Sequence, residues 1–334
     1  MKKRIIGLLF KKETQKNNEH RANFIQNIKN EAEKKELCFH IVNEEKDILI
    51  IQLSHNETIA FNNQNIATAI DGDFHYKNEA ISLFKNKTNE EFLAELYLSS
   101  ELWVKKLIGN FSFTLFDKKQ QKLYLGRDHF GSKPLYFFDN EDVFIFSSEI
   151  KYIKLFPKLS FSPNIRKINE FLSQYRSNSD DTFYKEIRSL PPSNYMRVTK
   201  SNKKIIEYDY QNKNKAGNIT FENAKELLLE KLNNAIEQRI CNKKTNACLV
   251  SGGLDSSTIY NLIESKHDSK VRSFSMNFFN NENDPLVCDE SDYQELIVNK
   301  KKHKKINFFS DSPYKNIDEW IERFDQPFNL ANIY

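Results

Sequence analysis

The sequence predicts an α+β domain of layered antiparallel sheets with helices, followed by an α/β domain on a parallel sheet. Three observations predict this. The first half is a series of short aromatic and branched runs parted by polar turns; from residue 220 helical and strand periods alternate; and 334 residues exceed what one compact core usually holds.

The strands of the first half read as "DILIIQLS" (Asp47 to Ser54), "IATAIDGDFHY" (Ile66 to Tyr76), "NFSFTLFD" (Asn110 to Asp117), "KLYLGRD" (Lys122 to Asp128), "PLYFFD" (Pro134 to Asp139) and "VFIFSSE" (Val143 to Glu149). Their short connections imply hairpins. Between them, Phe92, Leu93, Leu96, Trp103 and Leu107 follow a helical stripe within Asn89 to Leu107. The segment Ser189 to Asn218 carries paired prolines and ends in a lysine- and asparagine-rich stretch, which sets a domain over 1–200, a linker over 201–219 and a second domain over 220–334.

In the second domain, Phe221, Ala224, Leu227, Leu228, Leu232, Ala235, Ile236 and Ile240 mark one face of a helix with Thr220 as N-cap. "NACLVSGGLDSSTIYNLIES" then reads as strand, tight loop, helix. "VRSFSMNFF" (Val271 to Phe279) is a further strand and "DESDYQELIV" (Asp289 to Val298) a further helix.

Fifty basic residues face 46 acidic ones, and no basic patch is interleaved with aromatics, so nucleic acid is not an expected partner. The lysine run Asn299 to Lys305 is expected to be a solvated face. Cys38, Cys241, Cys248 and Cys288 have neither metal-ligand nor disulfide-framework spacing, which fits a cytoplasmic protein with reduced thiols. The basic start followed by Ile5 to Phe10 is too short for a signal peptide, and no run is long enough to span a membrane.

The loop "LVSGGLDSS" (Leu249 to Ser257) carries the chemistry. A parallel strand feeding a helix through a glycine turn presents backbone N–H groups and the positive end of the helix dipole to an anion. Gly252 and Gly253 permit close approach, and Ser251, Ser256 and Ser257 add hydroxyls. Phosphate is the expected guest. Asp255 would repel bare phosphate, so Mg²⁺ is expected between them. No Gly-Lys-Ser/Thr follows, which excludes the Walker type.

On these residues the chain resembles the asparagine synthetase family, whose pyrophosphate loop "SGGLDSS" is similar to. The likeness extends to Gly109–Phe138, Phe146–Ile153 and Leu190–Val198, similar to a glutaminase-like half of the N-terminal-nucleophile type. It continues in Ser273–Phe278, Asp289–Tyr293 and Phe324–Tyr334, similar to the ATP-pyrophosphatase half. The resemblance implies ATP and Mg²⁺ as cofactors, and a substrate carboxylate that attacks the α-phosphate to give an acyl-adenylate, which an amine converts to an amide. It implies that Asp255 holds the metal, Ser251 to Ser257 the phosphates, and the backbone near Val250 and Met276 the adenine.

The chain also departs from that family. Glutamine-using members carry a cysteine at position two as the N-terminal nucleophile; here the residue is Lys2, and the families that have lost this cysteine include β-lactam synthetases and lasso-peptide cyclases. Cys38, beside Phe39 and Ile41, is expected in the core. The family's Asn-Gly-Glu reads Asp71-Gly72-Asp73, its amine-binding acid reads Asn89, and its Arg-Gly-Pro-Asp segment has no counterpart. No glycine follows Gly253, so the family's second, metal-sharing glycine loop is missing before Tyr334 and the α/β domain is expected to be truncated.

The expected activity is therefore ATP-dependent amide formation with an amine other than glutamine-derived ammonia, if the synthetase half is completed. A glutamine-hydrolysing asparagine synthetase and a non-catalytic remnant or partner subunit stay open. The expected partners are a small-molecule or peptide carboxylate and an amine; a second chain and a homodimer stay open too. Arg127, Asp128 and His129 are expected to fix a turn. Asp289 or Ser291 is expected to cap a helix within the acidic group Asp289, Glu290 and Asp292, and family position would set Asp325 at the substrate pocket.

Overall fold

A computed structural model describes residues 3–55, 60–74, 87–174, 180–208, 219–240, 246–267, 271–279, 290–298, 302–309 and 317–327. The chain forms two compact units: Met1–Asn212 with Phe324–Phe328, and Lys213–Arg323 with Asn329–Tyr334.

The first unit comprises β1 (Lys3–Phe10), α1 (Asn17–Lys34), β2 (Cys38–Glu44), β3 (Ile48–Ser54), β4 (Phe61–Asn62), β5 (Ile66–Phe74), α2 (Asn89–Ser99), a 3₁₀ turn (Trp103–Lys106), β6 (Gly109–Asp117), β7 (Lys122–Arg127), β8 (Tyr136–Asp139), β9 (Val143–Ser147), α3 (Ile150–Lys154), α4 (Ile165–Gln174), β10 (Ile187–Ser189), β11 (Asn194–Val198) and β12 (Lys203–Glu207). Two six-stranded sheets result, ordered β10-β8-β9-β1-β3-β2 and β12-β11-β7-β6-β5-β4, with every named pair antiparallel.

The sheets face each other. Ile5, Leu9, Ile50 and Phe144 of one interlock with Ala67, Phe116, Leu123 and Met196 of the other in a single cluster. Phe24, Ile28 and Ala32 of α1 cover the outer face of the first sheet. On the second, Phe92, Leu93 and Leu96 of α2 and Trp103 and Leu107 pack on Ile66, Ile70, Phe111 and Phe113, so the predicted stripe is buried. Thr88 starts α2 with a full capping box, its hydroxyl accepting from Glu91 N and Glu91 Oε2 accepting from Thr88 N.

Three elements differ from expectation for identifiable reasons. The run from Lys3 to Phe10 becomes β1, a central strand between β3 and β9; covered on both faces, it shows no polar alternation. β12 lies inside the segment expected as linker, where it pairs with β11 although its side chains are mostly exposed and lysine-rich. Cys38 is exposed rather than core, because it opens the edge strand β2, in which Phe39 and Ile41 are the residues that pack inward.

The second unit holds α5 (Phe221–Glu237), β13 (Asn246–Leu249), α6 (Leu254–His267), β14 (Val271–Phe279), α7 (Ser291–Ile297), β15 (His303–Phe309) and α8 (Ile317–Phe324, whose last residue counts with the first unit). Its sheet is parallel in the order β13-β14-β15, as the alternation predicts. Cys248, Val250, Tyr260, Val271 and Val298 form its small core. Thr220 caps α5 through Asn223 N. The apolar face of α5 is largely bare, however: Phe221 is 79% and Leu228 61% exposed, and of the helix only Ile236 is buried. The end of the lysine run, expected to be solvated, forms β15, where Lys305 Nζ pairs with Glu295 Oε1. Among the described residues no helix is long and apolar enough to cross a membrane.

Candidate functional site

β13 ends at Leu249, the chain turns through Val250 to Gly253, and α6 starts at Leu254. Val250 N continues the ladder by donating to Phe274 O at 2.8 Å, while Ser275 Oγ donates to Val250 O at 2.6 Å. Both main-chain groups of Val250 are therefore engaged, which leaves one carbonyl lone pair for a ligand. The register that pairs Leu249 with Phe274 carries Met276 two residues further along β14, where its side chain is 43% exposed.

The turn is closed by its own hydroxyls. Ser256 Oγ accepts from Ser251 N at 3.2 Å and lies 3.1 Å from both Ser251 Oγ and Gly253 O. Gly253 N donates to Ser251 Oγ at 3.2 Å. Ser257, nearly buried, donates Oγ to Gly253 O at 2.6 Å, so its hydroxyl serves the helix start. Asp255 is exposed in the first turn of α6. Ser251, Gly252 and Gly253, closed by Ser256 from the first turn of α6, thus lead into a 14-residue helix, the arrangement that gathers backbone donors for an anion.

Gly252 has φ +95°, a region closed to most side chains. A Cβ there would meet Glu290 O and Tyr293 Cβ, each at 3.1 Å, because α7 packs behind the loop. From α7, Gln294 Nε2 donates to Ser251 O at 3.2 Å. Sequence reasoning missed this neighbour, since one glutamine in an acidic helix carries no pattern. Glu290 is the N-cap of α7 and makes no side-chain cap bond, correcting the expectation that Asp289 or Ser291 caps the helix; Asp289 itself lies outside the described residues.

In the first unit, three residues that depart from the glutaminase pattern are described: Asp71 and Asp73 on β5 and Asn89 at the start of α2, whereas Lys2 lies outside the described residues. Asp71, buried within β5, pairs with Lys133 Nζ at 2.9 Å. Asn89 Nδ2 donates to Asp73 Oδ1 at 3.2 Å. Lys3 at the start of β1 pairs with the buried Glu90 at 2.6 Å. Burial raises the Glu90 carboxyl above the ordinary glutamate value, more than Lys3 and Gln52 lower it.

A raised carboxyl holds its proton in the folded chain at pH values where the unfolded chain has released it. Its contribution to stability is therefore full below the ordinary glutamate value of 4.5 and is lost as pH rises through the folded value. Glu90→Gln is expected to flatten the fall in melting temperature above about pH 4.5. Melting curves of both proteins from pH 4 to 8 test this, and parallel slopes would refute it.

Arg127 and Asp128 fix a turn, as expected. The Arg127 guanidinium donates to the carbonyls of Gly131, Lys133 and Leu190. Asp128 is fully buried and accepts four backbone N–H groups, from Phe111, Phe130, Ser132 and Lys133. Asp325 lies with the first unit, where its Oδ2 accepts from Lys151 N at 3.3 Å and burial raises its carboxyl.

Comparison with known proteins matches residues 58–211 to a glutamine amidotransferase domain and residues 227–333 to asparagine synthase. Glutamine-hydrolyzing asparagine synthetase of Rattus norvegicus is 29% identical over 251 residues, covering 71% of this chain and 43% of that protein. Glutamine-hydrolyzing asparagine synthetase 3 of Bacillus subtilis is 24% identical over 253 residues, covering 75% and 38%. The chain thus spans less than half the length of these relatives. Among solved structures, the glutamine phosphoribosylpyrophosphate amidotransferase of B. subtilis aligns with a TM-score of 0.42 and 10% identity over 89% of this chain and 70% of that one. With its amidotransferase-like strands first and the glycine loop of an asparagine synthase domain after them, the chain belongs to the asparagine synthetase family.

Proposed function

We propose that the chain binds Mg²⁺-ATP at the loop Ser251–Ser257 and serves amide formation through an acyl-adenylate, with an amine other than glutamine-derived ammonia. The observation that carries this reading is the strand, glycine turn and helix over 246–267 within the asparagine synthase match. A substrate carboxylate oxygen would bond to the α-phosphorus as the bond to the bridging oxygen breaks and pyrophosphate leaves. The amine nitrogen would then attack the acyl carbon, and AMP would depart as the nitrogen loses a proton. The backbone donors of the turn and the start of α6 would stabilise charge gathering on pyrophosphate, with the Ser251 and Ser256 hydroxyls rotating from each other toward it.

Asp255 suits the metal. Among the described residues no three His, Cys, Asp or Glu side chains gather to hold a cation, but one exposed carboxylate matches Mg²⁺, which keeps waters and phosphate oxygens as its other ligands. Bound there, the ion would offset phosphate charge.

The choice of amine rests on the first unit. Asp71 and Glu90, committed to Lys133 and Lys3, support a pocket that no longer receives glutamine. The spacing of the cysteines supports a reducing, cytoplasmic setting. The bare face of α5 favours a further segment of asparagine synthase fold covering it, on this chain or a second one.

Calorimetry with Mg²⁺-ATP tests the site. Asp255→Ala is expected to weaken binding about tenfold or more, a loss that disappears when Mg²⁺ is omitted. Equal binding by both proteins would remove Asp255 from the site. Glutamate released from glutamine by the purified chain would restore the glutamine-hydrolysing reading.

A further inference from the structure

We propose that Gln294, which no motif marks, is a positioning residue for the phosphate loop: it fixes the Ser251–Gly252 peptide so that its N–H faces the bound phosphate. This rests on the nucleotide reading above.

The peptide bond is planar, and no cis peptide occurs among the described residues, so the Ser251 carbonyl and the Gly252 N–H point in opposite directions. Gln294 Nε2 holds that carbonyl from the α7 side at 3.2 Å. The Gly252 N–H is thereby aimed away from α7, and it has no acceptor among the described residues. On the α7 side the space is closed, because even a Cβ on Gly252 would press on Glu290 O and Tyr293 Cβ. Without the glutamine the peptide could flip and present its carbonyl to the anion instead.

Gln294 is itself held rigidly. It is 3% exposed, its own N–H bonds to Glu290 O at 3.0 Å, and Val298, one turn along, belongs to the core cluster with Val250. Its Oε1 is buried and has no partner among the described residues, an arrangement that costs stability unless the amide has a task. The amide N–H accomplishes that task at the loop. A leucine or methionine would fill the same volume without stranding an oxygen.

The test uses the full chain with Gln294→Met, which keeps length and loses the donor, beside Gln294→Glu, which keeps shape and places an acceptor against the Ser251 carbonyl. Both are measured for Mg²⁺-ATP and Mg²⁺-pyrophosphate affinity by calorimetry, for melting temperature, and for hydrogen exchange of the loop amides. The expected result is a loss of about five- to tenfold in affinity for both ligands in Gln294→Met, and more in Gln294→Glu, with faster exchange at Ser251 to Gly253 and an unchanged melting temperature in Gln294→Met. Wild-type affinity in Gln294→Met overturns the proposal. So does weakened affinity that comes with a lowered melting temperature, since that marks a merely structural glutamine. If the wild-type chain binds neither ligand, the nucleotide reading fails first; loop exchange unchanged by Gln294→Met then refutes the positioning role as well, and faster exchange upholds it.

Discussion

Asp128→Ala is expected to destabilise the first unit by about 3–4 kcal/mol and to lower its melting temperature by roughly 6–16 °C. The carboxylate is fully buried and collects four backbone N–H groups from the strand β6 and the turn between β7 and β8. Alanine leaves all four without an acceptor in a site closed to water. The adjoining Arg127 then holds a turn with no inner frame, although its own three carbonyl acceptors remain. Asp128→Asn separates charge from geometry. Its oxygen can keep the bonds of Phe130 and Ser132, while its amide nitrogen faces the N–H groups of Phe111 and Lys133, so an intermediate loss is expected. Thermal melts of the three proteins decide, and an alanine variant as stable as wild type would show that water reaches the turn.

The second large effect is an asymmetry between neighbouring glycines. Gly252→Ala is expected to lower Mg²⁺-ATP affinity about 30-fold, whereas Gly253→Ala stays within about threefold. At Gly252 the backbone has φ +95°, and an added Cβ meets a backbone carbonyl and a Cβ of the helix behind it, neither of which can swing away. The strain, about 2 kcal/mol, would be relieved by moving the very peptide that the proposed site turns toward the phosphate. At Gly253 an added Cβ meets only Ser251 Oγ at 3.3 Å, a hydroxyl that can rotate. Paired calorimetric titrations test this, and equal losses at the two positions would mean that loop bulk, rather than backbone conformation, limits binding.

The strands β3, β6, β7 and β9 were legible because aromatic and branched residues such as Ile50, Phe116, Leu123 and Phe144 build one shared interior. The turn from strand to helix at Ser251 to Ser257 was legible because paired glycines after a short apolar run break the strand and serines favour a helix start. β12 was not, since a ladder hydrogen bond needs no particular side chain and the strand's lysines face water. Cys38 misled because its apolar neighbours Phe39 and Ile41 turn one way on an edge strand while the thiol turns the other. Gln294 and the Lys133–Asp71 pair were invisible for a different reason: each joins residues distant in sequence, 43 and 62 positions apart, and only the fold brings them together.

The position of β13 has a colloidal consequence. Among the described strands it pairs with β14 alone, so the strand that delivers the glycine loop is also an edge of the described sheet. An edge strand is a template for another strand, and with Phe221 and Leu228 uncovered on the same unit self-association is expected as concentration rises. Light scattering should rise with concentration, and a strand laid along β13 would quench that self-adhesion while building a second wall for the loop.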